Sequence, residues 1–533
     1  MTELNAPAAD ATQRHLAHVA RGGALGLFGA AVSAVAGFVL VLVVTNRFDT
    51  RTAGLFFTAT STFLVLNAMA TLGSDTGLGR FMLRYEKHGR LGDIPPTLRA
   101  AMRPTIGFSL VLGLAVVVFA DPLSRLIGLE GGEGPNSLRL MGALLPFATW
   151  NLLTLAGTRA FGRMRATVLV DKILRPVAQP VLALAVSVLG AGLLSLTLAW
   201  SVPYVLAALM SALLFRRFLH RRGTFTHTQP TKDYRALRRE FWAFTWPRSI
   251  TQIAQMAIQR LDIVLIAALR SPTEAAIYTA ATRFVALGQF GTQALQQVLQ
   301  PKFTTLLATE DHKSLREVFQ VSTAWSMGIT WPMFVVVGCA PFAYLGLFGP
   351  EYVHQGVATV LLMAVAMLFN VATGAADTLL LMSGRSGLSL FNSLMAVGLD
   401  VGMCLWLIPS MGITGAALAW AVSSSTRCLL AVLQIRLTMD IVSFGPAAGI
   451  VAAANLVCIA APLAVLGRYM HVDFLRAFIA CIICAPAYLG VLWLGRRPLM
   501  LTALRAVVRR PGTGAADPGP RNAESAGAGP DGG

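Results

Sequence analysis

Between Gly23 and Gly495 the chain is a succession of apolar stretches, most about 20 residues long, separated by short basic clusters. That pattern admits few folds. A helix needs roughly 20 apolar residues to cross the hydrocarbon core of a bilayer, because lipid offers no partner to a free backbone N–H or C=O. A soluble domain would instead need a polar face on every helix and about 25% charged residues. Here 55% of 533 residues are hydrophobic, 13% are charged and mean hydropathy is +0.64. A soluble globular enzyme, a disordered chain and a secreted disulfide scaffold are all excluded. The net charge of +18 and pI of 10.5 would suggest nucleic-acid binding in a soluble chain. With the basic residues gathered between apolar runs, no nucleic-acid partner is expected.

The expected fold class is an all-α polytopic membrane protein with about fourteen transmembrane helices. The spans lie near 23–45, 53–74, 104–120, 138–158, 167–188, 192–215, 243–269, 274–299, 319–343, 355–382, 386–408, 412–434, 442–466 and 475–495. Orientation follows from Lys and Arg in the short loops. One set of alternate loops holds Arg80, Arg84, Lys87, Arg90, Arg99 and Arg103, then Arg159, Arg163 and Arg165, then the stretch from Arg216 to Arg239, then Lys302, Lys313, Arg316, Arg385 and Arg436. The opposite loops are poor in basic residues. A multi-pass protein of the cytoplasmic membrane with both termini in the cytoplasm is therefore expected. Residues 1–22 read as a polar cytoplasmic tail, uncleaved because the first span is too long for a signal peptide. Residues 497–533, rich in Gly, Pro and Ala, read as a disordered cytoplasmic tail.

Internal similarity appears at a shift of about 220 residues. Val41–Thr60 aligns with Ile263–Thr282 without a gap, Gly162-Arg163 with Gly384-Arg385, and Leu198-Ala199-Trp200 with Leu418-Ala419-Trp420. Thr60, Asn67, Thr71 and Ser74 on span two meet Thr282, Gln289, Gln293 and Gln296 on span eight. Each set falls within an arc of about 60° on its helix. Six spans per repeat makes the halves parallel, one of the known transporter plans. The expected organisation is an N-lobe (23–215), a basic cytoplasmic linker (216–242), a C-lobe (243–440) and two further helices (441–496).

Polar groups at membrane depth point to the site. Span seven carries Arg248, Gln252, Gln255, Gln259 and Asp262, spaced 4, 3, 4, 3, on a stripe about 80° wide. Span eight extends its stripe with Tyr278 and Gln300. Interhelical hydrogen bonding accounts for some polar faces, but five or more Gln on adjacent helices favour the wall of a water-filled cavity. Ionisable residues at depth are costly and mark function by default. Arg175 and Arg283 each lie about nine residues into a span. Arg175 is four residues from Asp171, so an internal ion pair competes with a cavity role. Arg283 is about 100° off the Thr282 stripe and faces either the cavity or a neighbouring helix. Asp377 and Asp400 are candidates for coupling or charge pairing, with Arg427 placed to pair with one of them. Arg260 is off its stripe and is expected to snorkel outward. Arginine at depth suits an anion, above all phosphate, because guanidinium binds it bidentately and stays charged. The carboxylates suit a sugar hydroxyl, a counter-charge or a coupling proton.

No metal site is expected, since all eight His lie in loops or at span ends without ligand spacing. Cys481 and Cys484 form a C-x-x-C on an apolar helix and read as packing. No Walker phosphate loop occurs, and no cofactor is expected. A membrane glycan polymerase or ligase would need long outer loops; the longest here is about 17 residues, Asp121 to Ser137. The balance favours a transporter over an enzyme.

Span two and its exit, AGLFFTATSTFLVLNAMATLGSDTGLGRFMLRY, and span seven, FTWPRSITQIAQMAIQRLDIVLIAAL, followed by AAIYTAATRF, resemble the multidrug/oligosaccharidyl-lipid/polysaccharide exporter superfamily, on its polysaccharide flippase side. FAYLGLFGPEYVHQG and LWLIPSMGITGAALAWAVS add to the likeness, which covers about residues 20 to 495. The resemblance implies a two-lobed transporter working by alternating access. Its implied cargo is a polyprenyl-pyrophosphate-linked oligosaccharide, moved from the cytoplasmic to the outer leaflet. Pro247, Asp262, Tyr278 and Arg283 fall on family-like positions. The first span has no acidic residue between Arg21 and Arg47, unlike cation-coupled drug exporters. A lipid II flippase and a multidrug or metabolite exporter are the alternatives within the fold. The expected partners are the lipid-linked glycan, membrane lipids and polysaccharide-assembly enzymes. Arg283, Arg175 and Arg248 would hold the pyrophosphate, and the Gln, Asn and Asp the sugars.

Overall fold

The computed structural model describes residues 6–161, 164–190, 192–221, 233–469, 473–496 and 498–500, and among these there is no strand. The first half of the chain runs α1 (Ala6–Arg47), α2 (Thr50–Thr71), α3 (Ser74–Lys87), α4 (Ile94–Val118), α5 (Ala120–Leu126), α6 (Gly134–Ala160) and α7 (Met164–Thr167). A π-helical stretch, Val168–Leu174, leads directly into α8 (Arg175–Val188), and α9 (Leu193–Arg221) follows. The second half runs α10 (Tyr234–Leu269), α11 (Pro272–Ala281), α12 (Arg283–Ala308), α13 (His312–Cys339), α14 (Pro341–Gly346), α15 (Pro350–Ala372), α16 (Ala376–Met382), α17 (Ser386–Met411) and α18 (Ile413–Met439). The chain then forms α19 (Pro446–Asn455), a second π stretch to Ala460, α20 (Ala461–Tyr469) and α21 (Phe474–Leu494).

Twelve helices among the described residues are long and apolar enough to cross a membrane, two fewer than expected. The missing two are the expected spans 167–188 and 274–299. The first carries Asp171, Lys172 and Arg175 within five residues and passes through the π stretch. The second is broken at Thr282, and its continuation α12 is rich in Gln. Span two also ends sooner than expected, because Leu72 and Gly73 both adopt left-handed backbone between α2 and α3. The ends of the expected 216–242 linker, Arg216–Arg221 and Tyr234–Trp242, continue α9 and open α10. Residues 222–232, and the parts 1–5 and 501–533 of the tails expected at 1–22 and 497–533, lie outside the described residues, while α1 already begins at Ala6.

Prolines inside the helices leave carbonyls without their usual donor, and in lipid such a group must be met by protein. Pro104 frees the Ala100 carbonyl, which accepts a 3.1 Å bond from the Trp242 indole. Pro332 frees the Gly328 carbonyl, which accepts a 3.0 Å bond from the Tyr488 hydroxyl. These bonds tie α4 to α10 and α13 to α21.

The two halves meet along α1, α2, α10 and α11. At one end of the interface α2 and α11 touch backbone to backbone: a Cβ at Gly54 would overlap the Pro272 carbonyl. The Asn46 amide donates a 2.8 Å bond to the Leu347 carbonyl, Thr50 bonds Glu351, and Phe38 packs edge-on against Phe348 with centroids 5.7 Å apart. Gly128, at φ +72°, lies so close to the Ala267 carbonyl that a side chain would not fit. This end is closed. Farther along, two aromatic groups flank the site described next. Trp200 packs against Phe56, Phe63 and Tyr204 on one side, and Tyr344 packs against Phe284 and Phe348 on the other.

Candidate functional site

Arg283 owes its position to a break in the helix. At Thr282 the backbone turns to φ −93°, ψ 0°, ending α11 and starting α12 one residue later. The Tyr344 hydroxyl spans the break, accepting a 3.2 Å bond from the Phe284 N–H and donating a 2.8 Å bond to the Ala280 carbonyl. The freed backbone groups are thus satisfied inside the protein, as lipid demands. Arg283 lies eleven residues beyond Pro272, about 16 Å along the helix. From there its guanidinium crosses to the other half and donates a 3.1 Å bond to the Gly37 carbonyl of α1.

Arg175 reaches the same region from the first half. It begins α8 immediately after the π stretch, a local widening frequent at functional sites. Its guanidinium bonds Asp171 at 3.1 Å and the Tyr204 hydroxyl at 3.0 Å, and lies 4.7 Å from the Tyr204 ring centroid. Both alternatives for Arg175 therefore hold at once: it is paired, and it lines a cavity.

Two cavities adjoin here, the larger between the halves and the smaller within the second half. One, of about 240 Å³, is bordered by Gly37, Thr60, Ser61, Arg175, Gln179 and Tyr204; the other, of about 100 Å³, by Gln259, Asp262, Tyr278, Thr282 and Gln289. Arg260, Thr279 and Arg283 belong to both walls. Asp262 is buried and accepts a 2.5 Å bond from the Tyr278 hydroxyl and a 2.8 Å bond from the Ile263 N–H. Thr282 donates its hydroxyl to the Tyr278 carbonyl at 2.8 Å.

Arg260 does not snorkel outward. It sits on the shared wall, and its Nε is buried with no hydrogen-bond partner. The expected stripe on α10 excluded it because the stripe assumed a cavity touching one narrow face. In the fold the α10 residues Gln259, Arg260, Asp262 and Ile263 all border the hollow, which wraps around more of the helix. Gln179 and Tyr204 were also not anticipated. Gln179 follows Arg175 by four residues, one turn along the same face, and that spacing is the signal in the sequence; its amide donates to the Trp200 carbonyl at 3.1 Å.

Other expected wall residues are placed elsewhere among the described residues. Asn67 is buried and accepts a 3.3 Å bond from Thr149, and Thr71 donates to its own helix at Ala68. Gln252 bonds Asp75 at 3.0 Å and Thr76 at 2.9 Å, joining α10 to α3. These three make interhelical or intrahelical bonds and border neither of the two cavities. Gln255 is exposed on the stripe leading to Gln259, and Arg248 is exposed beside Phe244, 6.0 Å from the ring centroid. Gln293 is exposed and Gln296 half-buried, both farther along α12 than the wall. Arg427 pairs with Asp377 at 3.6 Å, and Asp377 also accepts a 2.7 Å bond from Ser389. Asp400 is instead held by Ser423 at 3.0 Å.

The electrostatics of the hollow are lopsided. Three guanidiniums face it. Among the described residues Arg175 has an ion-pair partner, whereas Arg260 and Arg283 have none. The two linings hold three arginines against one carboxylate, Asp262, and such an excess of positive charge away from bulk water is costly. An anion with several acceptor oxygens would relieve that cost by charge-assisted bonds. Among the described residues no cluster of His, Cys, Asp and Glu is arranged to hold a metal.

Comparison with known proteins bears on the family and the fold. A family model described as "Polysaccharide biosynthesis protein" matches residues 19–307. No curated protein sequence gives a significant match. Among solved structures, the lipid II flippase MurJ in an inward closed conformation superposes with a TM-score of 0.69 at 12% identity, covering 88% of this chain and 98% of that one. An inward-facing multidrug resistance MATE family transporter gives 0.57 at 14%, covering 77% and 95%. A MOP superfamily transporter from Pyrococcus furiosus gives 0.53 at 15%, covering 79% and 95%. At these identities the structures speak for the fold. With the family model spanning more than half of its length, the chain belongs to the polysaccharide biosynthesis protein family, and its fold is the one shared by lipid II flippase and multidrug exporter structures.

Proposed function

We propose that this protein is a membrane transporter, a flippase for a glycan carried on a polyprenyl pyrophosphate, moving it from the cytoplasmic to the outer leaflet by alternating access. The observation that carries the reading is the pair Arg260 and Arg283, two guanidiniums on the wall shared by both cavities, with Asp262 the one carboxylate in either lining. A pyrophosphate supplies the missing negative charge and accepts bidentate bonds. Asp262, Gln259 and Gln289 next to it suit sugar hydroxyls. The family assignment supports the same cargo class.

The mechanism needs two lobes that rock, and helix boundaries support that organisation. At a shift of 222 residues, α1 and α10 end together at Arg47 and Leu269, and α2 and α11 begin together at Thr50 and Pro272. Asp49 and Ser271, at the same shift, each cap the following helix through their side chain. Fourteen crossings in two parallel lobes follow if Met164–Val188 and Pro272–Ala308 also cross. With the arginine-rich loops in the cytoplasm, the closed end at Gly54 and Pro272 is the outer gate.

The test is reconstitution. Purified protein in liposomes is given a fluorescent polyprenyl-pyrophosphate oligosaccharide, and flipping is read by loss of access to an external quencher. Arg260→Ala and Arg283→Ala should each slow flipping by roughly tenfold to a hundredfold, from the loss of charge-assisted bonds. Unchanged rates in both variants would reject the anion site. Movement of a cationic drug with the same arginine dependence would reject the glycan cargo.

A further inference from the structure

A second feature, remote from the cavities, is a groove of about 1190 Å³ on the outside of the first half, between α4 and α9 and floored by α6. Its mouth is basic. Arg99 and Arg103, one turn apart on α4, face Arg216 on α9, and all three are exposed. Among the described residues none of the three forms an ion pair, and no acidic residue lines the groove. Below the mouth the walls are Ile106, Leu110, Leu213 and Trp150, each wholly or partly exposed. The one hydroxyl in the lining, Thr154, is already bonded to Ser211 and to the Trp150 carbonyl.

Length and polarity together define what fits. From Arg99 to Leu110 is eleven residues of helix, about 16 Å, or one leaflet of a core roughly 30 Å thick. An occupant must be anionic at one end and apolar for the depth of a single leaflet. Ordinary boundary lipid explains the apolar walls but not three uncompensated arginines converging on one end. Basic pockets between membrane helices bind anionic head groups for this reason. We infer that this groove is a site for one anionic phospholipid, its phosphate held by Arg99, Arg103 and Arg216 and its acyl chains laid along α4 and α9. The site is separate from the cargo path and does not depend on which glycan is carried.

Full-length protein purified in mild detergent from membranes containing phosphatidylglycerol and phosphatidylethanolamine tests this by extraction and quantification of retained lipid, supported by native mass spectrometry. Wild type should retain phosphatidylglycerol enriched about tenfold or more over the membrane ratio. Arg99→Gln/Arg103→Gln/Arg216→Gln should return to that ratio. Gly107→Trp is the second arm, because Gly107 lines the groove and a Cβ there meets nothing within 4 Å, so the indole fills the space without disturbing the helix. It should also lose the lipid, whereas Arg283→Ala in the central cavity should keep it. Wild type at the bulk ratio, retention surviving both groove variants, loss in Arg283→Ala alone, or a polyprenyl phosphate in place of the phospholipid would each overturn the inference.

Discussion

Arg283 and Gly37, 246 residues apart in the chain, are joined by a 3.1 Å bond from a guanidinium N–H to a main-chain carbonyl. A Cβ at position 37 would lie 2.9 Å from that Nη2. Gly37→Val should therefore displace the guanidinium without unfolding either helix. The expected outcome is a transport rate lowered toward that of Arg283→Ala, with unchanged membrane insertion and thermal stability. Arg283→Lys should recover only part of the rate, since an ammonium lacks the planar fork. Wild-type transport in Gly37→Val would show that the contact does not position the arginine.

Tyr344 is a positioning residue for the same arginine. Tyr344→Phe removes both the donor to Ala280 and the acceptor from Phe284, leaving two buried backbone groups unpaired at a cost of about 1–3 kcal/mol each. The variant should melt earlier in detergent and transport more slowly. Hydrogen exchange of the Phe284 amide should rise more than that of amides two turns farther along α12. Uniform change along α12 would point to a general loss of stability instead.

The Tyr488 hydroxyl and Pro332 make a thermodynamic pair. Tyr488→Phe should cost about 1 kcal/mol in the wild-type background. In Pro332→Ala the new backbone N–H can meet the Gly328 carbonyl, so the same substitution should cost less. A double-mutant cycle by reversible unfolding should give a coupling of roughly 0.5–1.5 kcal/mol. Equal losses in both backgrounds would refute the compensation.

Asp311 caps α13, accepting a 3.0 Å bond from the Ser314 N–H, and the bonds from Ser314 hold its carboxyl below the usual carboxylate range. A carboxyl depressed in the folded state stabilises fully above its unfolded value, near 4, and loses that contribution as pH falls through the folded value. Protection of the Ser314 amide should accordingly be constant from neutral pH to about 5 and fall below about 4. Asp311→Ala should show the low protection at every pH.

Much of the architecture was legible because lipid imposes length and apolarity on each crossing. Twelve helices were readable in that way, and Arg175 and Arg283 stood out as charges at depth. Arg260 was misjudged by angular position alone, although a charge within an apolar span is itself the stronger signal. Asn67, Thr71 and Gln252 lay on polar stripes, yet each found a partner on its own or a neighbouring helix; periodicity registers a polar face without saying whether water or protein meets it. The break at Thr282 left no mark in the sequence, because it depends on the hydroxyl of Tyr344, 62 residues on.

Several joints between the two halves end on main-chain atoms: Pro272 against Gly54, Ala267 against Gly128, Leu347 receiving Asn46 and Gly37 receiving Arg283. At each, one partner contributes only what every residue possesses. Substitutions can then accumulate on that partner without loosening the joint, so long as the glycines stay small. An architecture fastened in this manner tolerates mutational drift, and its shape can outlast its spelling, as the overlap with a distant flippase at 12% identity exemplifies.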